Sequence, residues 1–164
     1  MVGFSFGLRT EAEEPNPSNE ALAMAVVDAC RFINFYDCEP IVVTQWEITK
    51  ALKQNDVTHS VELRADGTYL DSKGVWDEAK KVFEPLGITR IVIVAQPFLH
   101  LPSLKLMVEK DGYEVLDFKV PDIPFDSSPS NTQPWTRSKL RLLVYAVKVK
   151  LGMSHGYKGR QNVA

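Results

Sequence analysis

His100 is the residue with the widest chemistry in this chain. It follows an apolar run, Ile91-Val92-Ile93-Val94-Ala95, that stops at Gln96-Pro97. Near neutral pH an imidazole serves as acid, base or anion partner. Its plainer role is that of a helix-start side chain bonded to backbone. Other polar residues fall at similar places, just beyond predicted strands or at the starts of predicted helices. They are Gly7 and Arg9, Gln45 and Glu47, Ser72, Lys73 and Asp77, and Gln96. Arg9 can pair with an anion, and Lys73 at a helix start suits a phosphate. Gln45 and Gln96 can orient a ligand. Trp46 and Trp76 offer flat faces for stacking, though Trp76 lies beside an apolar stripe and is better placed for the core. Glu47 and Asp77 stand at helix starts, where carboxylates favour the dipole, and plain solvation also accounts for them.

For these residues to act together, four distant segments must meet at one edge. Residues 91–95 read as a strand buried on both faces. Pro97 cannot donate to a ladder and ends it, and Pro102 suits the first turn of the next helix. Residues 1–6, 41–44 and 113–120 are predicted as further strands, and 57–65 as an extended segment before an Asp66-Gly67 turn. Gly7 permits a backbone conformation closed to other residues. Asn16 or Ser18 can cap the first helix, in which Leu22, Val26, Ala29 and Ile33 recur at helical spacing. A short helix follows Gln45-Trp46-Glu47. Asp71 or Ser72 can cap a third, with Val75, Ala79, Val82 and Leu86 as its stripe and Gly87 as its stop. A fourth covers 101–110. The last covers 135–151, with Leu140, Leu143, Val144, Val147 and Leu151 on one face. Residues 121–134 carry four prolines and read as a surface loop.

Alternating strands and helices predict an α/β chain with a mostly parallel sheet. The expected fold is a single Rossmann-like three-layer α/β/α sandwich of about five strands, spanning 1–152, with a loose tail at 153–164. A sheet order 3-2-1-4-5 sets the Gly7 loop beside residues 96–100, where open α/β sheets bind ligands.

The chain has 45% hydrophobic and 24% charged residues, ordinary for a globular protein. No apolar segment approaches the length of a membrane span. It opens Met1-Val2-Gly3-Phe4, without a signal-peptide pattern, so a cytoplasmic protein is expected. Cys30 and Cys38, if on one helix, stand roughly 12 Å apart along its axis, too far to bridge. There is no GxGxxG and no GxxxxGK[ST] phosphate loop, no HExxH and no cysteine-rich metal spacing. The common dinucleotide, P-loop and zinc classes are disfavoured, and neither a metal site nor a nucleic-acid partner is expected. Charge is uneven. Residues 1–126 hold 12 basic and 21 acidic groups, or −9, whereas the remainder holds seven basic groups and no acidic one. That end can meet phosphate or a membrane surface, or simply neutralise the acidic body.

Ser72-Lys73-Gly74-Val75-Trp76-Asp77-Glu78-Ala79, the strand and histidine of 91–100, Gly112-Tyr113-Glu114-Val115 and Arg137-Ser138-Lys139-Leu140 occur in this order. Together they resemble the YdcF/SanA/ElyC-like family of bacterial Rossmann-like proteins. The family pattern has a Ser-x-x-Thr-x-x-(Asn/Glu)-Ala-like stretch, then a Thr-x-x-x-His-x-x-Arg-like loop. This chain departs from it at Gln45-Trp46, where the family has glycines, at Val75 in place of the threonine, and at Ser103 in place of the arginine. The resemblance implies a small-molecule pocket for a nucleotide-like ligand such as S-adenosylmethionine. It also implies links to cell-envelope metabolism in some members.

The leading reading is therefore a small-molecule-binding protein, or an enzyme, for a nucleotide-like or phosphorylated ligand. His100 is its acid/base or anion contact, Arg9 and Lys73 its anion contacts, and Gln45 and Gln96 its orienting groups. The alternative is a non-catalytic interaction protein that docks through its basic last helix. The cofactor and the oligomeric state are left open.

Overall fold

The computed structural model describes residues 1–9, 15–36, 39–52, 57–62 and 70–152. The expectations for Cys38, for the Asp66-Gly67 turn and for the tail from 153 lie outside the described residues.

Short strands alternate with helices. In chain order the strands are β1 (Val2–Gly3), β2 (Val43–Gln45), β3 (His59–Val61), β4 (Arg90–Ile91), β5 (Ile93–Val94) and β6 (Glu114–Val115). The helices are α1 (Pro17–Asn34), α2 (Trp46–Ala51), α3 (Ser72–Phe83), α4 (His100–Lys110) and α5 (Lys139–Lys150). Four strands form a parallel sheet in the order β3-β2-β1-β5, and β4 pairs in parallel with β6. Only Val92 separates β4 from β5. Its carbonyl accepts from Val2 N at 2.9 Å, while the Ile91 carbonyl accepts from Leu116 N on the other side at 2.9 Å.

Successive strand residues point to opposite faces, and residues 91–95 use both. Val92 and Val94 pack with Leu22, Val26 and Ala29 of α1 and Ile48 of α2. Ile91, Ile93 and Ala95 pack with Val75, Trp76 and Ala79 of α3 and Leu104 and Val108 of α4. The fold is mixed α/β, with parallel strands between helices. Trp76 is a core residue. Its indole N–H donates to Asp111 Oδ2 at 2.9 Å, which ties α3 to the turn after α4.

The caps explain where helices start. Asn16 Oδ1 accepts from Asn19 N at 2.8 Å, and Pro17 opens α1. Ser18 is already helical and donates to the Pro124 carbonyl at 2.7 Å. Asp71 caps α3 through Gly74 N at 2.8 Å. The chain tightens into a 3₁₀ turn at Glu84–Leu86. That turn swings Leu86 out to solvent and leaves Phe83 to fill the core. So the stripe read as Val75, Ala79, Val82 and Leu86 ends in Phe83 instead.

Two other elements differ from expectation. Within 113–120 only Glu114–Val115 forms a ladder. The proline-rich loop expected over the surface instead buries Ile123, Asp126, Asn131 and Gln133. The cause is backbone chemistry at the end of β1. Residues 6–8 are buried, so their peptide groups need partners. Asn19 Oδ1 accepts from Phe6 N at 2.8 Å, and its Nδ2 donates to the Gly7 carbonyl at 3.1 Å. Asn131 Oδ1 accepts from Leu8 N at 3.3 Å, and Thr132 N donates to the Leu8 carbonyl at 2.7 Å. Asn131 Nδ2 donates to Thr136 Oγ1 at 2.8 Å and to the Asp126 carbonyl at 3.0 Å. Gly7 has φ +82°, and a Cβ there would lie 3.1 Å from Asn16 Nδ2, Asn131 Nδ2 and Thr136 Oγ1.

Asn131 Oδ1 also accepts from Gln133 N at 3.0 Å, so Asn131→Ala leaves the buried Leu8 and Gln133 N–H groups without this acceptor, at about 1–3 kcal/mol each. We expect a loss on the order of 3 kcal/mol in urea unfolding. Gly7→Ala is expected to lose at least about 1 kcal/mol from its backbone conformation alone. Unchanged urea midpoints for both would show that the clamp does not hold the fold.

Candidate functional site

A cavity of about 530 Å³ opens at the carboxyl ends of the strands. Ser5 and Phe6 reach it from beyond β1, Gln45 from β2, and Ser72 from the first turn of α3. His100 and Ser103 come from α4, Gln133 and Thr136 from the clamped loop, and Tyr145 and Lys150 from α5. Three of the residues singled out in the sequence meet here: Gln45, Ser72 and His100.

His100 Nε2 lies 3.1 Å from Ser72 Oγ. The ring sits against Phe4 (centroids 6.2 Å apart, edge-on) and Phe6 (6.0 Å, tilted). Nδ1 is buried, and among the described residues it has no hydrogen-bond partner in either tautomer. Burial pushes the imidazole down to about 4. At neutral pH it is therefore uncharged, which fits it to exchange a proton with a hydroxyl rather than to attract an anion. Its position depends on the preceding turn. Leu99 has φ 66°, a sparsely populated conformation costing on the order of 1–3 kcal/mol. Gln96 holds that turn: its Oε1 accepts from Phe98 N at 2.6 Å, and its carbonyl accepts from Leu101 N at 3.0 Å.

Gln45 joins the floor together. Its Oε1 accepts from Ser5 N at 3.2 Å, and its Nε2 donates to the Leu70 carbonyl at 3.5 Å. On the far wall Trp135 and Tyr145 stack, with centroids 4.8 Å apart and planes 15° apart.

The other sequence candidates stand outside the lining. Gly7 and Arg9 belong to the clamp. Arg9 Nε and Nη2 donate to Asp126 Oδ2 and Oδ1 at 2.8 and 2.7 Å. Burial pushes the Asp126 carboxyl up, but Arg9 outweighs it and holds the group below its usual value. Lys73 pairs with Asp77, which also meets Lys80 at 3.2 Å. The Lys73 hydrogen bond is the main reason that the Asp77 carboxyl is lowered. Trp46 and Glu47 open α2. Gln96 supports the site from behind its wall. No group of three or more metal-ligating side chains occurs among the described residues.

Comparison with family models, with curated proteins and with solved structures returns no match.

Sequence reasoning passes over several lining residues. Ser5 sits in Gly3-Phe4-Ser5-Phe6-Gly7, the spacing of a nucleophile elbow. The geometry is not that of an elbow. Leu99 alone among the described non-glycine residues has positive φ, and the Ser5 N–H is held by Gln45. Gln133, Thr136, Trp135 and Tyr145 follow from the clamp, whose sequence signal is Asp126 and Asn131 standing among prolines.

The buried ring makes stability depend on pH. An unfolded histidine takes its proton near 6.5, the folded His100 near 4. Between these values the unfolded chain binds more protons at this residue, so its contribution to stability falls as pH drops from 6.5 to 4. The full drop from His100 is on the order of 3 kcal/mol. The Met1 amine, which burial lowers from 8.0 to about 5, acts in the same sense over its own higher window. Asp126 acts lower, since its contribution is lost only as pH falls through the carboxylate range. Urea midpoints measured across this window are expected to slope in the parent chain and to slope less in His100→Gln, where the Met1 amine and the lowered carboxylates keep the remainder. An equal slope in both would contradict the enclosed ring.

Proposed function

We propose that the cavity binds a small nucleotide-like or phosphorylated molecule and that Ser72 and His100 do acid–base work on it. The observation that carries this reading is the 3.1 Å approach of Ser72 Oγ to His100 Nε2 on the cavity wall. A neutral imidazole beside a hydroxyl can take a proton from it or from a ligand hydroxyl in its place. The stacked Trp135 and Tyr145 offer a wall to a flat ring. Lys150 lines the cavity and suits a phosphate. In this reading it takes the anion role first given to Arg9 and Lys73, whose charges are engaged by Asp126 and Asp77.

The finer fold belongs to the same proposal. Residues 90–94 act as one strand with neighbours on both sides, giving a five-stranded Rossmann-like sheet in the order 3-2-1-4-5. Its support is the hydrogen bonding of Val92 toward β1 and of Ile91 toward β6. Kinship with YdcF/SanA/ElyC-like proteins is also proposed. It is supported by Ser72 and His100, from two separate motif stretches, lying in contact.

The test is thermal unfolding with nucleotides, nucleotide sugars, S-adenosylmethionine and sugar phosphates. A ligand at ~100 times its dissociation constant adds about 2.7 kcal/mol. We expect one class to raise the midpoint of the parent chain, and His100→Ala and Ser72→Ala to lose that rise while staying folded. A rise that both variants keep would place the ligand elsewhere. No rise with any compound would remove the support for a nucleotide-like ligand.

A further inference from the structure

Among the described residues, none covers the outer face of α5. Leu140, Leu143, Val144, Val147 and the following Leu151 are each 46–71% exposed. The stripe that reads in sequence as a core face is thus turned outward. The inward side of the helix is occupied by Leu142, which is buried, and by Tyr145 and Ala146, which line the cavity. At about 100° per residue, the five outward residues span an arc roughly 100° wide. Lys139 falls along one edge of this arc, where Lys150 also stands at the rim of the cavity, and Arg141 and Lys148 fall along the other. All four cations are exposed, and among the described residues none joins an ion pair. The last acidic residue of the sequence is Asp126, so nothing on this helix opposes them.

We infer that this face docks on an anionic lipid bilayer. An apolar stripe edged on both sides by long cationic side chains fits the bilayer interface. Leucine and valine enter the acyl boundary, while the lysine and arginine stems lie along it and keep their charges at the headgroups. The face is the convex side of one helix, with no groove for a peptide to fill. A second copy docked symmetrically would set these cationic edges against each other. An anionic surface is the occupant that matches both the shape and the charge. The −9 of residues 1–126 then orients the molecule, turning the acidic body away from the surface.

The test uses the full chain and sedimentation with vesicles, one set of phosphatidylcholine alone and one of equimolar phosphatidylcholine and phosphatidylserine. Binding to the second set is expected to exceed binding to the first by at least about tenfold. It should weaken when salt shortens the screening length to about 3 Å. Each cation near such a surface is worth about fivefold. Arg141→Gln with Lys148→Gln should therefore weaken partitioning about 25-fold. Leu143→Ser with Val147→Ser, both exposed, should weaken it at least about tenfold while the thermal midpoint holds. Equal binding to both vesicle sets, no binding to either, or binding indifferent to both variants would overturn the inference. So would a concentration-dependent dimer of the free protein that Leu143→Ser with Val147→Ser dissolves, since the face would then belong to a second copy.

Discussion

The peptide groups just beyond β1 set a constraint on the rest of the chain. They leave the sheet inside the protein rather than at its surface, so water cannot satisfy them. Asn19 serves them from α1, and Asn131 from a loop more than a hundred residues later. A buried unpaired peptide group costs more than a good hydrogen bond gains. The loop therefore has to lie against β1, and proline-rich sequence follows the path that its amides dictate. Arg9 and Asp126 close the outer rim of the same contact. Once the loop is held there, Trp135 and Thr136 stand at the strand ends, and Ser138 starts α5 over the cavity.

The site shows the same economy of polar groups. Gln45 and Gln96 are both buried, and both spend their side-chain oxygens on main-chain N–H groups. They fix the walls from which Ser72 and His100 project. The imidazole is held between two phenylalanine rings and one hydroxyl. Among the described residues no carboxylate orients it, unlike the histidine of a hydrolase triad. Burial keeps it neutral at neutral pH.

How much of this is legible in the sequence differs from residue to residue. The run 91–95 announces a strand with two buried faces, because β-branched residues without a polar break have few other uses. Strand ends in a parallel α/β chain gather on one edge, which is enough to bring Gln45, Ser72 and His100 together. The partner of Lys73, Asp77 four positions on along the same helix, follows from helical spacing, whereas the partner of Arg9 is not legible. A basic residue near a strand end looks the same whether a ligand or an aspartate neutralises it. Asp126 is 117 positions from Arg9, and no local pattern connects them. Leu86 departs from the helical stripe for a local reason: Pro85 tightens the turn to 3₁₀, which changes the facing of the last position of the stripe.

α5 marks the limit of periodicity as a guide. Its sequence, Lys139-Leu140-Arg141-Leu142-Leu143-Val144-Tyr145-Ala146-Val147-Lys148, has apolar residues on two sides, with cations at the boundaries between them. A period of 3.6 residues identifies a stripe but not what lies against it. Leu142 and Tyr145, on the narrower side, take the protein contact because the stacked Trp135 and the clamped loop fix the helix by its start. The wider side, with four more cations along its edges than acids, is left facing out. The anchoring of the helix start, which its own periodicity does not carry, decides which apolar side is inside.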